Sequence, residues 1–244
     1  MTSSSNKEIK AIHPPNLGWL EYRLNEEEMK HVRECISKAH VDFKPKLAGN
    51  IHGSYVLEDE GDWFWNNTLK VLCTTYQEAF KINLGDLVPT GQGYPYFLQT
   101  WWVNYQKQTD FNPLHHHDGV YSFALWMDIP FRHFEQNKKP EAMNSNTPCV
   151  SNFEFAYINI MGEVQTYGYE LNPKDSGRMV FFPSKLKHMV YPFYNCDKER
   201  VSISGNIVLN TLGPGTLDLI AEERKKLREL KKEKDKKKFN HSVK

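Results

Sequence analysis

The chain has 244 residues, 39% of them hydrophobic and 25% charged, with a formal net charge of +1. That composition is globular and large enough for one sizeable core or two small domains, so a disordered or fibrous chain is excluded. No run approaches the ~18 apolar residues of a membrane helix, the opening MTSSSNKEIK lacks the apolar segment of a secretory leader, and near-neutrality argues against a nucleic-acid or membrane-surface binder throughout.

The neutral sum hides an asymmetry. Residues 221–244 hold 11 of the 31 Lys and Arg but only 5 of the 30 Asp and Glu. A mildly acidic body therefore carries a basic tail. The four cysteines, Cys35, Cys73, Cys149 and Cys196, include no C-x-x-C pair. Reduced thiols and a cytoplasmic location are the expectation.

Residues 1–23 read as an N-terminal arm, polar as far as Pro14-Pro15. A helix is predicted over about 24–39, capped by Asn25, with three Glu in its first turn to complement the helix dipole. Met29, Val32 and Ile36 recur there at helical spacing. A second helix is predicted over about 62–82, with Phe64, Leu69, Leu72, Tyr76 and Phe80 as its apolar stripe and Gly85 just beyond it. From about 94 the texture changes to short strands. The first is aromatic and ends at Gln106. Others are predicted at 122–129, 153–160, 164–171, 178–183, 189–194 and 200–210, with a polar insertion loop at 134–151. Seven closely spaced strands without intervening helices predict an antiparallel barrel or sandwich. The segment 24–215 reads as a single domain with its core at 94–210. After Gly213-Pro214-Gly215, residues 216–244 read as a basic helix or tail, with Leu217, Ile220, Leu227 and Leu230 available to dock.

Three segments could carry chemistry. In FNPLHHHDGVYSF (111–123), two interlaced pairs stand at i, i+2 spacing: His115 with His117, and His116 with Asp118. On extended chain, residues two apart share a face, so either pair could bind one divalent metal. A run of three His also suits an exposed polar loop. In GRMVFFPSKLKHMVYPFY (177–194), His188 begins a strand after a turn, and a lone His on an apolar run is commonly a core residue. In DKERVSISGNIVLN (197–210), Arg200, Ser202, Ser204 and Asn206 share one face, and Val201, Ile203 and Ile207 the other. That pattern fits either an exposed polar face or an Arg aimed into a barrel.

An H-x-H or H-x-D pair, a long β-rich spacer, a distal His and an R-x-S together resemble the Fe(II)/2-oxoglutarate-dependent dioxygenases. The strings FNPLHHHDGVYSFALWMDIP, FFPSKLKHMVYPF and ERVSISGN are similar to the distantly prolyl-hydroxylase-like members common in bacteria and phages. The resemblance covers about 94–210, with a weaker echo in KLAGNIHGSY (46–55). It implies a mainly β fold with flanking helices, a double-stranded β-helix or jelly roll of cupin type. It implies Fe(II), 2-oxoglutarate as cosubstrate and O2, and hydroxylation of a protein side chain, a nucleobase or a metabolite with release of succinate and CO2. Arg200 and Ser202 would take the far carboxylate of 2-oxoglutarate, and Asn104 or Tyr105 would also touch the cosubstrate. Two His and one carboxylate, the usual ligand set, would be His116, Asp118 and His188. The flanking N-P and G-x-x-S-F favour His115, His117 and His188. Strand parity leaves the choice open, because 122–129 is apolar on both faces. A three-His site also fits a cupin-type metal enzyme that does not use 2-oxoglutarate, and a fold can outlive its catalysis as a binding module. The loop at 134–151 and the segment 50–66 are candidate lids. Lys231 to Lys238 are available to an acidic partner.

Overall fold

The computed structural model describes residues 17–81 and 96–210. Gly85 and the tail at 216–244 lie outside the described residues. The elements run β1 (Leu20–Arg23), α1 (Glu26–Lys38), β2 (Val41–Asp42), β3 (Gly53–Val56), α2 (Lys70–Phe80), β4 (Tyr96–Gln106), β5 (Asn112–His115), β6 (Tyr121–Asp128), α3 (His133–Gln136), β7 (Phe153–Ile158), β8 (Val164–Tyr169), β9 (Arg178–Pro183), β10 (Lys187–Val190) and β11 (Arg200–Leu209).

Two antiparallel sheets form. The larger has the order β1-β9-β6-β11-β4-β3-β2 and the smaller β5-β10-β7-β8. They pack face to face as a double-stranded β-helix, the jelly-roll arrangement that the resemblance implies and one form of the barrel or sandwich expected from the strand pattern. The space between them is filled by Ala124, Trp126, Val180 and Phe182 from the larger sheet and Phe153, Phe155 and Tyr169 from the smaller. A second core lies on the outer face of the larger sheet. There Val103, Phe123, Leu125, Met179, Phe181 and Ile203 meet Val32, Leu69, Leu72 and Tyr76 of the helical layer. Alternation along β6 thus sends Phe123, Leu125 and Met127 outward and Ala124 and Trp126 inward. Both faces are apolar because both are covered.

Helix α1 starts where its sequence says it should. The Asn25 side chain accepts from the Glu28 amide and Glu28 returns a bond to the Asn25 amide, a complete capping box. Buried Glu28 also accepts from Tyr22 and Thr68, tying β1 and the second helical segment to the first. The predicted second helix is a π turn at Trp65–Leu69 running into α2. Phe64, Leu69, Leu72 and Tyr76 of its stripe are buried and Phe80 is half-buried, and Phe64 stacks on Trp101 with ring centroids 5.2 Å apart.

The structure departs from expectation at several short elements. Leu20–Arg23, read as part of an arm, pairs with β9 as an edge strand. The segment 50–66, a candidate lid, contains β3, which is paired between β2 and β4 inside the larger sheet. The strand read at 189–194 is displaced to Lys187–Val190 because Pro192 cannot continue a ladder. The insertion at 134–151 opens with the single helical turn α3. Among the described residues no helix is long and apolar enough to cross a membrane.

Candidate active site

A cavity of about 510 Å³ opens between the two sheets. One wall is the inner face of β4 and β11, where alternation turns a polar row inward. The antiparallel register pairs Gln106 with Arg200, Asn104 with Ser202, Trp102 with Ser204, and Thr100 with Asn206. All of these except Arg200 line the cavity. At each of the four rungs one buried polar atom has no hydrogen-bond partner: Gln106 Nε2, Asn104 Oδ1, Trp102 Nε1 and Asn206 Oδ1. Buried polar groups are ordinarily satisfied, so four orphans on one row of cavity-lining residues are unusual.

The opposite wall brings three histidines together. His115 ends β5 and stands directly across from His188 in the β5–β10 ladder. His117 follows in the turn to β6. One ligand atom from each lies within 4.8 Å of the other two. Ring centroids are 4.3 Å apart for His115 and His188 and 4.8 Å for His117 and His188. The hydrogen bonds define which nitrogens are free. His115 Nδ1 is 2.7 Å from the Pro113 carbonyl, and His188 Nδ1 is 3.0 Å from the Leu186 carbonyl. A carbonyl only accepts, so both Nδ1 atoms carry protons and both Nε2 lone pairs are available. His117 Nδ1 meets Ser122 Oγ, whose own hydroxyl donates to the Gly205 carbonyl at 2.8 Å. His117 therefore also donates through Nδ1. Burial keeps all three rings neutral: it pushes His117 down to about 3, His188 well below the ordinary imidazole value, and His115 down as well, with the neighbouring rings adding to each shift.

The other pair takes a different course. His116 accepts from Lys187 Nζ at 2.9 Å, and the Asp118 carboxylate, 91% exposed, lies 3.9 Å from Lys185. Neither joins the His188 cluster. Gly119 makes the turn behind them at φ 89°, a conformation open to glycine, and a Cβ there would stand 2.5 Å from the Ile207 carbonyl.

Arg200 lies at the inner end of the polar row and is fully buried. It does not line the cavity. Its Nε donates to Gln106 Oε1 at 3.0 Å, and its two terminal nitrogens donate to the Ser151 and Tyr191 carbonyls at 3.0 and 3.1 Å. Among the described residues no carboxylate lies within salt-bridge distance of it; burial pulls it down to about 9, against the opposing charge of Asp110. Ser202 and Asn104 line the cavity. Tyr105 has the opposite parity and packs edge-on against Tyr55, away from the cavity. Asn206 lies on the face the sequence assigns to Arg200 and Ser202, whereas Gln106, Trp102 and Thr100 were not singled out from the sequence. Their signal is the period-2 recurrence of polar residues along the aromatic strand, Thr100, Asn104 and Gln106 with Trp102 between.

Two facing antiparallel sheets form a jelly-roll barrel, and three clustered imidazoles at one side of its cavity could hold a metal ion. Residues 100–206 match the family model described as "Putative 2OG-Fe(II) oxygenase". Such oxygenases work with Fe(II), 2-oxoglutarate and O2, and neutral imidazole nitrogens suit Fe(II). No curated protein matches the chain. Solved structures similar in fold include a prolyl-4-hydroxylase from Pseudomonas putida, at 14% identity and TM-score 0.44, covering 78% of this chain and 91% of that one. A viral collagen prolyl hydroxylase from Paramecium bursaria Chlorella virus-1, in complex with 2OG, matches at 10% identity and TM-score 0.45, covering 78% and 94%. An oxidoreductase of the 2OG-Fe(II) oxygenase family from Burkholderia pseudomallei matches at 12% identity and TM-score 0.42, covering 75% and 80%.

Proposed function

We propose that this protein is an Fe(II)- and 2-oxoglutarate-dependent oxygenase that hydroxylates a substrate with release of succinate and CO2. The observation that carries this reading is the clustering of three neutral imidazoles, one ligand nitrogen from each within 4.8 Å of the others, at a cavity whose far wall is a row of polar residues. His115, His117 and His188 would hold the iron. Bound there, Fe(II) with 2-oxoglutarate supplies the activation of O2 that oxidises a C–H bond. The chain's own part is positional. Pro113, Leu186 and Ser122 fix the three rings so that each offers one lone pair. The fit to a dianionic cosubstrate rests on donors: Gln106 Nε2 and Trp102 Nε1 lack partners, and Ser202 adds a hydroxyl. Arg200, a buried cation, would act through Gln106, holding its amide by Oε1 and biasing that end of the cavity toward a negative charge.

Succinate formation from 2-oxoglutarate tests the proposal. The wild-type chain is expected to release succinate only with Fe(II), and His188→Ala to lose at least 100-fold in that rate. A chain that binds neither Fe(II) nor 2-oxoglutarate in calorimetry is a binding module and not an enzyme.

A second reading, a three-His metal enzyme that does not use 2-oxoglutarate, is favoured by two features. The converging set contains no carboxylate, and the Arg200 fork is already occupied. O2 consumption with a metal and substrate but without 2-oxoglutarate would select it.

A further inference from the structure

A second cluster of metal-binding residue types lies on the outer side of the larger sheet, across that sheet from the cavity. His31 and Cys35 are one turn apart on α1, so both project from the same face. Asp59 reaches them from the segment before the π turn. One ligand atom of each lies within 4.8 Å of the others. His31 Nε2 is 2.9 Å from Asp59 Oδ1, and Cys35 Sγ is 3.5 Å from that same Nε2. One imidazole nitrogen makes one bond, either as donor or as acceptor, so the carboxylate and the thiol compete for it. A Cys–His–Asp relay is excluded, because it would need the two partners on opposite ring nitrogens.

We propose that His31, Cys35 and Asp59 form a binding site for a divalent cation of the zinc class. With Zn–N near 2.0 Å and Zn–S near 2.3 Å, a tetrahedral centre sets N and S about 3.5 Å apart and N and O about 3.3 Å apart. The observed N···S separation meets that edge, and the N···O separation needs to open by only a few tenths of an ångström. The supporting contacts are those of a held ligand set. Asp59 Oδ2 accepts the Trp65 amide at 3.0 Å, which fixes the carboxylate, and Trp63 lies over the His31 ring with centroids 4.5 Å apart. Cys35 and Asp59 are enclosed, whereas the His31 side chain is 20% exposed, which leaves one side of the centre open to a water as fourth ligand. Burial and the Asp59 charge hold the Cys35 thiol up at about 11. On binding, the S–H bond breaks, the metal–sulfur bond forms and the proton leaves to solvent, with no change of oxidation state. The cation would clip α1 to the chain that leads into α2.

Cobalt(II) titration of the metal-free full-length chain tests the site, because of the two clusters among the described residues this one offers sulfur and the three-His cluster offers none. One equivalent of thiolate-to-cobalt charge-transfer absorption is expected. It should persist in His188→Ala and be lost in Cys35→Ser. Absence of that band, or a band unchanged by Cys35→Ser, overturns the proposal. Should Cys35→Ser not fold, Asp59→Asn, which keeps the volume and one oxygen, is the second variant. In the His188→Ala background it should weaken zinc binding at least tenfold, and an unchanged zinc affinity there also overturns the proposal.

Discussion

At the scale of single residues, the candidate metal site depends on protons more than on positions. Each ring is useful only if Nδ1 carries its proton, and three different acceptors enforce that: a carbonyl two residues before His115, a carbonyl two residues before His188, and the Ser122 hydroxyl for His117. Ser122→Ala leaves His117 Nδ1 without an acceptor in a buried place. Fe(II) affinity measured by competition titration is expected to fall 10- to 100-fold, with the fold intact by circular dichroism. The depressed His117 value has a consequence for the metal-free chain. Its folded value of about 3 lies below the ordinary 6.5, so the unfolded chain binds the extra proton in between. Stability from this group is complete above about pH 6.5 and is lost as the pH falls from there toward 3. Thermal melts of the metal-free protein should therefore drop across that window, and His117→Gln should flatten the drop. An identical pH profile in the two proteins would count against the assignment.

At the scale of elements, sequence legibility followed element length and one-sidedness. Helix α1 was readable to within two residues because its cap, its acidic first turn and its stripe all agree. The long strands β4, β6, β9 and β11 announced themselves by β-branched and aromatic runs. The four-residue β5 did not: NPLH contains a proline and no alternation. That is why the ligand register stayed open, since the evidence that brings His115 to His188 is a cross-strand pairing between segments some 70 residues apart. No local pattern encodes it. Strand β6 offered no help because sheets buried on both faces lose their alternation. Strand β11 shows how tight that burial is. A Cβ on Gly205 would stand 2.7 Å from the Phe123 ring and 2.9 Å from the Trp101 Cβ. Gly205→Ala is expected to cost about 1–3 kcal/mol in urea unfolding, the usual penalty of overpacking. Because Gly205 also provides the carbonyl that orients Ser122, metal affinity should fall with it.

At the scale of the whole molecule, Arg200 joins the two sheets. It stands on β11 of the larger sheet, yet it donates to the Tyr191 carbonyl just beyond β10 and the Ser151 carbonyl just before β7, both belonging to the smaller sheet. Phe131 and Phe193 flank its guanidinium, with ring centroids 5.7 and 5.4 Å away. A fully buried cation with no ion-pair partner among the described residues is costly, so stability alone is a poor reason to keep it there. Three acceptors, one fork and one neighbouring cavity suggest two duties: closing the inner end of the barrel and setting the charge that an anion entering the cavity meets through Gln106. The two separate by experiment. Arg200→Met removes the charge and orphans three oxygens, and is expected to lower stability by about 3–5 kcal/mol and to raise the KM for 2-oxoglutarate at least tenfold. Arg200→Lys keeps the charge but loses the fork. It should lose comparable stability while the KM for 2-oxoglutarate rises far less. Equal KM values in wild type and both variants, with Tm lowered in each, would assign the guanidinium to sheet docking alone and move the far carboxylate of the cosubstrate to the neutral donors of the polar row.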